Sequence, residues 1–210
     1  KFSGDFTMIV NAFYNQVDNF YYQANTGLFA EFEDAHGEHD EDEIHEDDLT
    51  GEEHEEHTEE GLPVYITQAQ DATFYGLESQ FIWQLNPEIN VKLQNDIIVG
   101  ELDDGDNLPR IPPARLGLMT NYQGEDISAN IEVMHNFKQD RITEFETETD
   151  AYTLVNVSAS YFFALGTQDM SANVKVTNLT DEVARVHTSY LKEETMLPGR
   201  GVALTLRGSF

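Results

Sequence analysis

YGLESQFIWQLNPEINVKLQNDIIV, residues 75–99, repeats with a period of two on both sides of a short break. Tyr75, Leu77, Phe81, Trp83 and Leu85 share one parity against Gly76, Glu78, Gln80 and Gln84, and beyond Asn86-Pro87-Glu88 the series resumes as Ile89, Val91, Leu93, Ile97 and Val99. Side chains of an extended chain point alternately to its two sides, so each half reads as a strand with one apolar face. The link between them is short enough that the halves pair as a hairpin.

The same period runs outward to both ends. Phe6, Met8, Val10, Ala12 and Tyr14 oppose Thr7, Asn11 and Asn15. Leu116, Leu118 and Tyr122 oppose Arg115 and Asn121; after Gly124-Glu125-Asp126, Ile127, Ala129, Ile131, Val133 and Phe137 oppose Ser128, Asn130, Glu132 and Lys138. Thr153, Val155, Val157, Ala159, Tyr161 and Phe163 precede Gly166-Thr167-Gln168-Asp169, and Met170, Ala172, Val174 and Val176 follow it. Val202, Leu204, Leu206 and Phe210 close the series, which predicts an all-β chain of eight strands with essentially no helix. The links are short at 86–88, 124–126 and 166–169 and long at about 25–62, 102–113, 141–150 and 178–200.

An antiparallel meander with short turns on one side, long loops on the other, an apolar face, and a polar face carrying Lys92, Glu132, Lys138, Lys175 and Arg207 is the pattern of a transmembrane β-barrel of the bacterial outer membrane. Alternation alone also fits a soluble sandwich. Two features favour the barrel. Trp83, Tyr122, Tyr161 and Phe163 gather at the short-turn side and Tyr14, Phe20, Tyr21 and Tyr22 toward the long loops, as interfacial girdles require, and the chain ends on Phe210 in parity with the outward row.

Composition narrows the rest. A net charge of −29 over 210 residues excludes nucleic acid as a partner. With no Cys there is neither a disulfide framework nor a thiolate metal site. The opening KFSGDFTMIV has no signal-peptide pattern, and no run of about 18 apolar residues reads as a membrane helix, so the sequence is expected to be an internal or C-terminal piece of a longer protein.

Residues 31–60 hold seventeen Asp or Glu and five of the chain's seven His, with no Lys or Arg. Carboxylate and imidazole together suit borderline divalent ions such as zinc, whereas carboxylate alone suits calcium or magnesium. The candidate donors are His36, His39, His45, His54 and His57 with Glu38, Asp40, Asp42, Glu53 and Glu56. So many donors for a site that needs about four point to loose, exchangeable capture. The alternatives are a solvated acidic loop and calcium held by Asp40, Asp42, Asp47 and Asp48. The histidines weigh against both, because they add almost no charge at neutral pH. His54-Glu55-Glu56-His57 lacks the spacing of a metalloprotease H-E-x-x-H, and no nucleophile motif or phosphate loop is present, so the chain is not read as an enzyme and no catalytic cofactor is expected.

The terminal GVALTLRGSF resembles the insertion signal that outer-membrane barrels present to the barrel assembly machinery. Leu108-Pro109-Arg110-Ile111-Pro112-Pro113-Ala114-Arg115-Leu116-Gly117 resembles the loop-and-strand motif near the C-terminus of TonB-dependent outer-membrane receptors. Asp71-Ala72-Thr73-Phe74-Tyr75-Gly76-Leu77-Glu78 is similar to that family's A-x-x-x-G-x-E strand, and Asn178-Leu179-Thr180-Asp181-Glu182 to its N-L-x-D/N segment. The resemblance spans the chain, with the motifs in the family's order. It implies that residues 1–210 supply the last eight strands of a 22-stranded barrel, that a plug and the box engaging the TonB-type inner-membrane energy complex lie elsewhere, and that 31–60 is an extracellular loop like that of zinc-uptake receptors. Zinc is then captured cargo. Two other functions stay open: a receptor of the same architecture for a siderophore or other organic substrate, and a complete eight-stranded anchor or adhesion barrel in contact with outer-membrane lipid.

Among single residues, His135 is expected at an outward strand end and His187 at a surface loop, each interfacial or exposed, with a ligand role as the lesser option. Arg110 and Arg115 flank Pro112-Pro113 in structural roles, with lipid phosphate as a minor contact. Asn178 fits a glycosylation sequon that means little in a bacterium. Inward Glu78, Glu132, Lys92 and Lys175 are expected to pair with one another or with a plug.

Overall fold

The computed structural model describes residues 5–30 and 62–209. Eight strands form one antiparallel sheet in sequence order: β1 (Phe6–Ala30), β2 (Leu62–Gln84), β3 (Ile89–Leu102), β4 (Arg115–Gln123), β5 (Ile127–Asn136), β6 (Tyr152–Leu165), β7 (Gln168–Thr177) and β8 (Gly201–Gly208). No helix occurs among the described residues. The hairpin read from residues 75–99 is there: Leu77 faces Ile97 and Trp83 faces Val91. Its turn is shaped by Asn86, whose Oδ1 accepts the N–H groups of Glu88 and Ile89, both at 2.9 Å. The third short link is tighter than expected. Leu165 pairs with Gln168, leaving Gly166-Thr167, with Gly166 at φ 66°, in place of 166–169.

Register sorts the residues into two faces. One row runs Phe81, Leu93, Leu118, Val133 and Val155, each opposite the next, and another runs Ile131, Val157, Val176 and Val202. This apolar face is bare: Leu204 is 80% exposed and Leu206 66%. The other face is polar. An amide ribbon crosses four strands there, Asn90 Nδ2 donating to Gln84 Oε1 (3.3 Å), Asn121 Nδ2 to Asn90 Oδ1 (3.5 Å) and Asn130 Nδ2 to Asn121 Oδ1 (2.7 Å). Arg115 bonds Asp96 across the β3–β4 rung, with Nη2 at 2.6 Å and Nε at 2.7 Å from Oδ1. No ion pair among the described residues joins Glu78, Lys92, Glu132 and Lys175 to one another, which leaves a plug as the other partner expected for them. Lys92 and Glu132 share a row but Met119 stands between them, two strand spacings or roughly 10 Å of sheet.

Nor do the eight strands close on themselves. Among the described residues β1 pairs only with β2 and β8 only with β7, contrary to a complete eight-stranded barrel.

β1 and β2 are long. β3 accompanies β2 only from Ala72 to Gln84, so Phe20–Ala30 and Leu62–Gln70 continue alone as a two-stranded ribbon. At its foot the register shifts between Val17 and Phe20, where Asn19 sits at φ 52° and donates its N–H to Asp71 Oδ1 at 2.8 Å. The shift exchanges the faces of β1. Phe20 and Tyr22 therefore turn onto the polar-face side, where they pack with Phe74 and Ile111 on the buried Ala72, Leu102 and Leu108. Both were expected in the outward aromatic girdle, and the bulge is the reason they leave it.

Candidate functional site

The expected metal donors, His36, His39, His45, His54, His57, Glu38, Asp40, Asp42, Glu53 and Glu56, lie outside the described residues, as does Phe210. Ala30 and Leu62 are opposite each other on the last rung of the ribbon, so the intervening segment leaves and re-enters at one place. Among the described residues no three His, Asp or Glu side chains are grouped as a metal site.

At the long-connection end, residues 103–114, 137–151 and 178–200 pack together around one carboxylate. Glu146 Oε1 accepts the Arg110 N–H at 3.0 Å and lies 3.5 Å from Lys192 Nζ and 3.2 Å from His187 Nε2. The three side chains are nearly sealed, at 8% exposure for Glu146, 9% for Lys192 and 1% for His187. Lys192 also donates to Thr147 O at 2.6 Å, and His187 Nδ1 meets Thr149 Oγ1 at 3.0 Å. His187 is thus an interior residue, not the surface residue expected. Its Nε2 approaches Glu146 off the line of a regular hydrogen bond. Burial pushes the Glu146 carboxyl up, but the His187 contact, the Arg110 N–H and the Lys192 charge together outweigh burial and hold its pKa below the ordinary 4.5. Gln139, itself buried, ties the same loops by donating to Ile111 O at 2.8 Å.

Arg110, at φ 56°, extends from this cluster to the ribbon. Its Nη2 donates to Gln23 O at 3.2 Å, and its guanidinium lies 3.8 Å from the Tyr190 ring centre and 5.4 Å from that of Tyr65. Phe20, Tyr22, Phe74, Arg110, Ile111 and Tyr190 are among the walls of a cleft of about 410 Å³ there. A second, about 300 Å³, lies against Asn11, Glu78, Gln94, Asp96 and Arg115.

Two motif residues acquire physical roles. Asn178, buried at φ 49°, donates to Glu182 O (2.9 Å) and Pro198 O (3.2 Å) and accepts the Glu182 N–H (2.8 Å), closing the base of 178–200. Asp181, also left-handed at φ 58°, accepts the Arg200 N–H at 2.7 Å. The sequon at Asn178 is therefore a loop clamp. His135 sits on the apolar face at a strand end as expected, with Nδ1 at 2.8 Å from Thr153 Oγ1 and its ring edge-on to Phe137.

Sequence reasoning missed Glu146, Lys192, Tyr65 and Tyr190 altogether. Glu146 lies in the run Thr143-Glu144-Phe145-Glu146-Thr147-Glu148, where nothing distinguishes it from its acidic neighbours.

Known structures share this architecture. The copper transporter OprC superposes with a TM-score of 0.60 at 20% identity, covering 71% of this chain and 24% of that one. The ferripyoverdine receptor of the Pseudomonas aeruginosa outer membrane, bound to ferripyoverdine, gives 0.53 at 19% identity, covering 68% and 20%. The ferric-catecholate import receptor Fiu from E. coli K12 gives 0.51 at 18% identity, covering 71% and 22%. The chain thus spans a fifth to a quarter of the length of these proteins. The family model described as "TonB dependent receptor-like, beta-barrel" matches residues 1–179, and on that match and the eight-stranded antiparallel sheet the chain belongs to the TonB-dependent receptor β-barrels of the outer membrane.

Proposed function

We propose that this chain is part of a receptor that imports a divalent metal ion, zinc foremost, across the outer membrane. Its sheet would be the last eight strands of a 22-stranded barrel driven by a TonB-type inner-membrane complex and assembled through the Phe210 signal. Residues 31–60 are the capture segment. The observation that carries this reading is the concentration of five of seven histidines in a run whose charged residues are all carboxylates, since acids alone already give solubility and imidazole adds a ligand for borderline ions. A copper transporter among the similar structures is compatible with metal cargo without selecting the ion.

Deleting residues 33–60 from the receptor tests it. Zinc binding should fall while the barrel still assembles, with calcium, manganese, copper and nickel as competitors ranking the ion; an unchanged zinc affinity refutes capture by this segment. One observation favours a second reading. The aromatic cleft beside Arg110 offers rings and a cation to an organic chelate, and a ferripyoverdine receptor and a ferric-catecholate import receptor are among the similar structures. Growth rescued by iron chelates and not by scarce zinc would select that reading.

A further inference from the structure

A two-stranded ribbon is marginal by itself, so the Phe20–Ala30/Leu62–Gln70 extension needs other support. It receives it from the three other long connections. From 103–114, Arg110 donates to Gln23 O and lies over Tyr65. From 178–200, Tyr190 bonds Gln23 through its hydroxyl and meets Tyr65 edge-on at 5.3 Å. From 137–151, the Phe145 carbonyl accepts Asn25 Nδ2 at 3.0 Å, and its ring lies where a Cβ on Gly27 would come within 2.9 Å. The three gripping residues are set by one group: Glu146 follows Phe145 in the chain, bonds the Arg110 N–H, and faces Lys192, two residues after Tyr190.

We propose that Glu146 is a positioning residue, the keystone of a clasp in which Arg110, Phe145 and Tyr190 fix the ribbon and thereby the point from which residues 31–60 are presented. This rests on the capture reading for its purpose, though not for its geometry. The charged and titratable groups facing Glu146 are His187 and Lys192 from 178–200, while Arg110 reaches it through its backbone and turns its guanidinium to the ribbon. Glu146, His187 and Lys192 are not among the expected 31–60 donors, so loosening the cluster should change where the segment is presented and leave its ligands alone.

The test places spin labels at Leu28, on the ribbon, and Leu206, toward the short-turn end of β8, in the receptor held in lipid bilayers. The unaltered protein should give one narrow distance distribution. Glu146→Gln should broaden it, and so should Tyr190→Ala, which leaves the buried cluster in place, removes the ring that meets Tyr65 and the hydroxyl that bonds Gln23, and keeps the proposal testable where the first variant assembles poorly. Zinc uptake in both should fall several-fold while zinc affinity stays that of the unaltered receptor. A distribution as narrow in both variants as in the parent overturns the clasp, whereas broadening with undiminished uptake overturns the presentation role assigned to it. The distance readout uses no metal, so a failure of zinc capture in the 33–60 deletion is told apart from a failure of the clasp.

Discussion

Replacing Ile131 by Arg and, separately, Ile127 by Arg should cost very different amounts, although both side chains are 48% exposed in β5. The two are on one face of the same strand, four residues apart, and Ile127 adjoins the 124–126 turn. At roughly 3.4 Å per residue and a tilt of about 40°, they differ by about 10 Å in depth. Ile131 then sits near the bilayer midplane, where an Arg on the lipid face costs ~2–4 kcal/mol, and Ile127 at the interface, where the cost is about 0–1 kcal/mol. The expected gap of about 2 kcal/mol is a ~30-fold change in the folding equilibrium. Ser128→Arg, on the polar face beside Ile127, should be within about 0.5 kcal/mol of the parent. The assay is reversible denaturant unfolding of the receptor in lipid vesicles, each variant referred to the unaltered protein. In a water-soluble sheet equal exposure would give equal costs, so Ile127→Arg and Ile131→Arg agreeing within about 0.5 kcal/mol would refute the membrane placement of this face.

The Glu146 cluster should be acid-labile: its carboxyl titrates below the ordinary 4.5 in the folded protein, so its contribution is full above that value and is lost as pH falls through the lowered one. Hydrogen-exchange protection, corrected for the intrinsic pH dependence of amide exchange, should fall in 137–151 and 178–200 below pH 4.5 in the parent and be low already at neutral pH in Glu146→Gln, where Lys192 loses its counter-charge at a cost of about 3 kcal/mol; protection independent of pH in the parent contradicts this. Gly76→Ala should destabilise by about 1–3 kcal/mol in the same unfolding assay, because the added Cβ would lie 2.4 Å from Ile97 O and 2.6 Å from the Phe13 ring; a neutral effect would refute this close approach of β3 and Phe13 to Gly76.

The strands were legible because a membrane sheet repeats the same demand at every second residue, and no later contact is needed to decide it. The motif A-x-x-x-G-x-E was legible as a pattern, but its reason is not local: Gly76 lies where Phe13 of the neighbouring strand crosses it. The loop cluster was not legible. Glu146 meets Arg110 across 36 residues and Lys192 across 46, and which acid in an acidic run becomes buried depends on how three connections stack. His187 followed the same logic, a polar residue in a polar loop until Thr149 and Glu146 enclose it. Phe20 and Tyr22 failed for another reason: the parity argument assumes an unbroken ladder, and the left-handed Asn19 breaks it.

That bulge inverts the phase of β1. Below it even-numbered residues meet lipid, and above it the even-numbered Phe20 and Tyr22 meet the mouth. Sequence changes on the two sides are thereby insulated from each other. Residues can be gained or lost between Ala30 and Leu62 while the lipid-facing pattern from Phe6 to Tyr14 keeps its frame, whereas one residue inserted between Phe6 and Val17 would turn the part of that row on one side of the insertion out of the bilayer unless a new bulge absorbed it. A receptor lineage could accordingly exchange its outer segment for one of different length and chemistry without renegotiating its fit to the membrane.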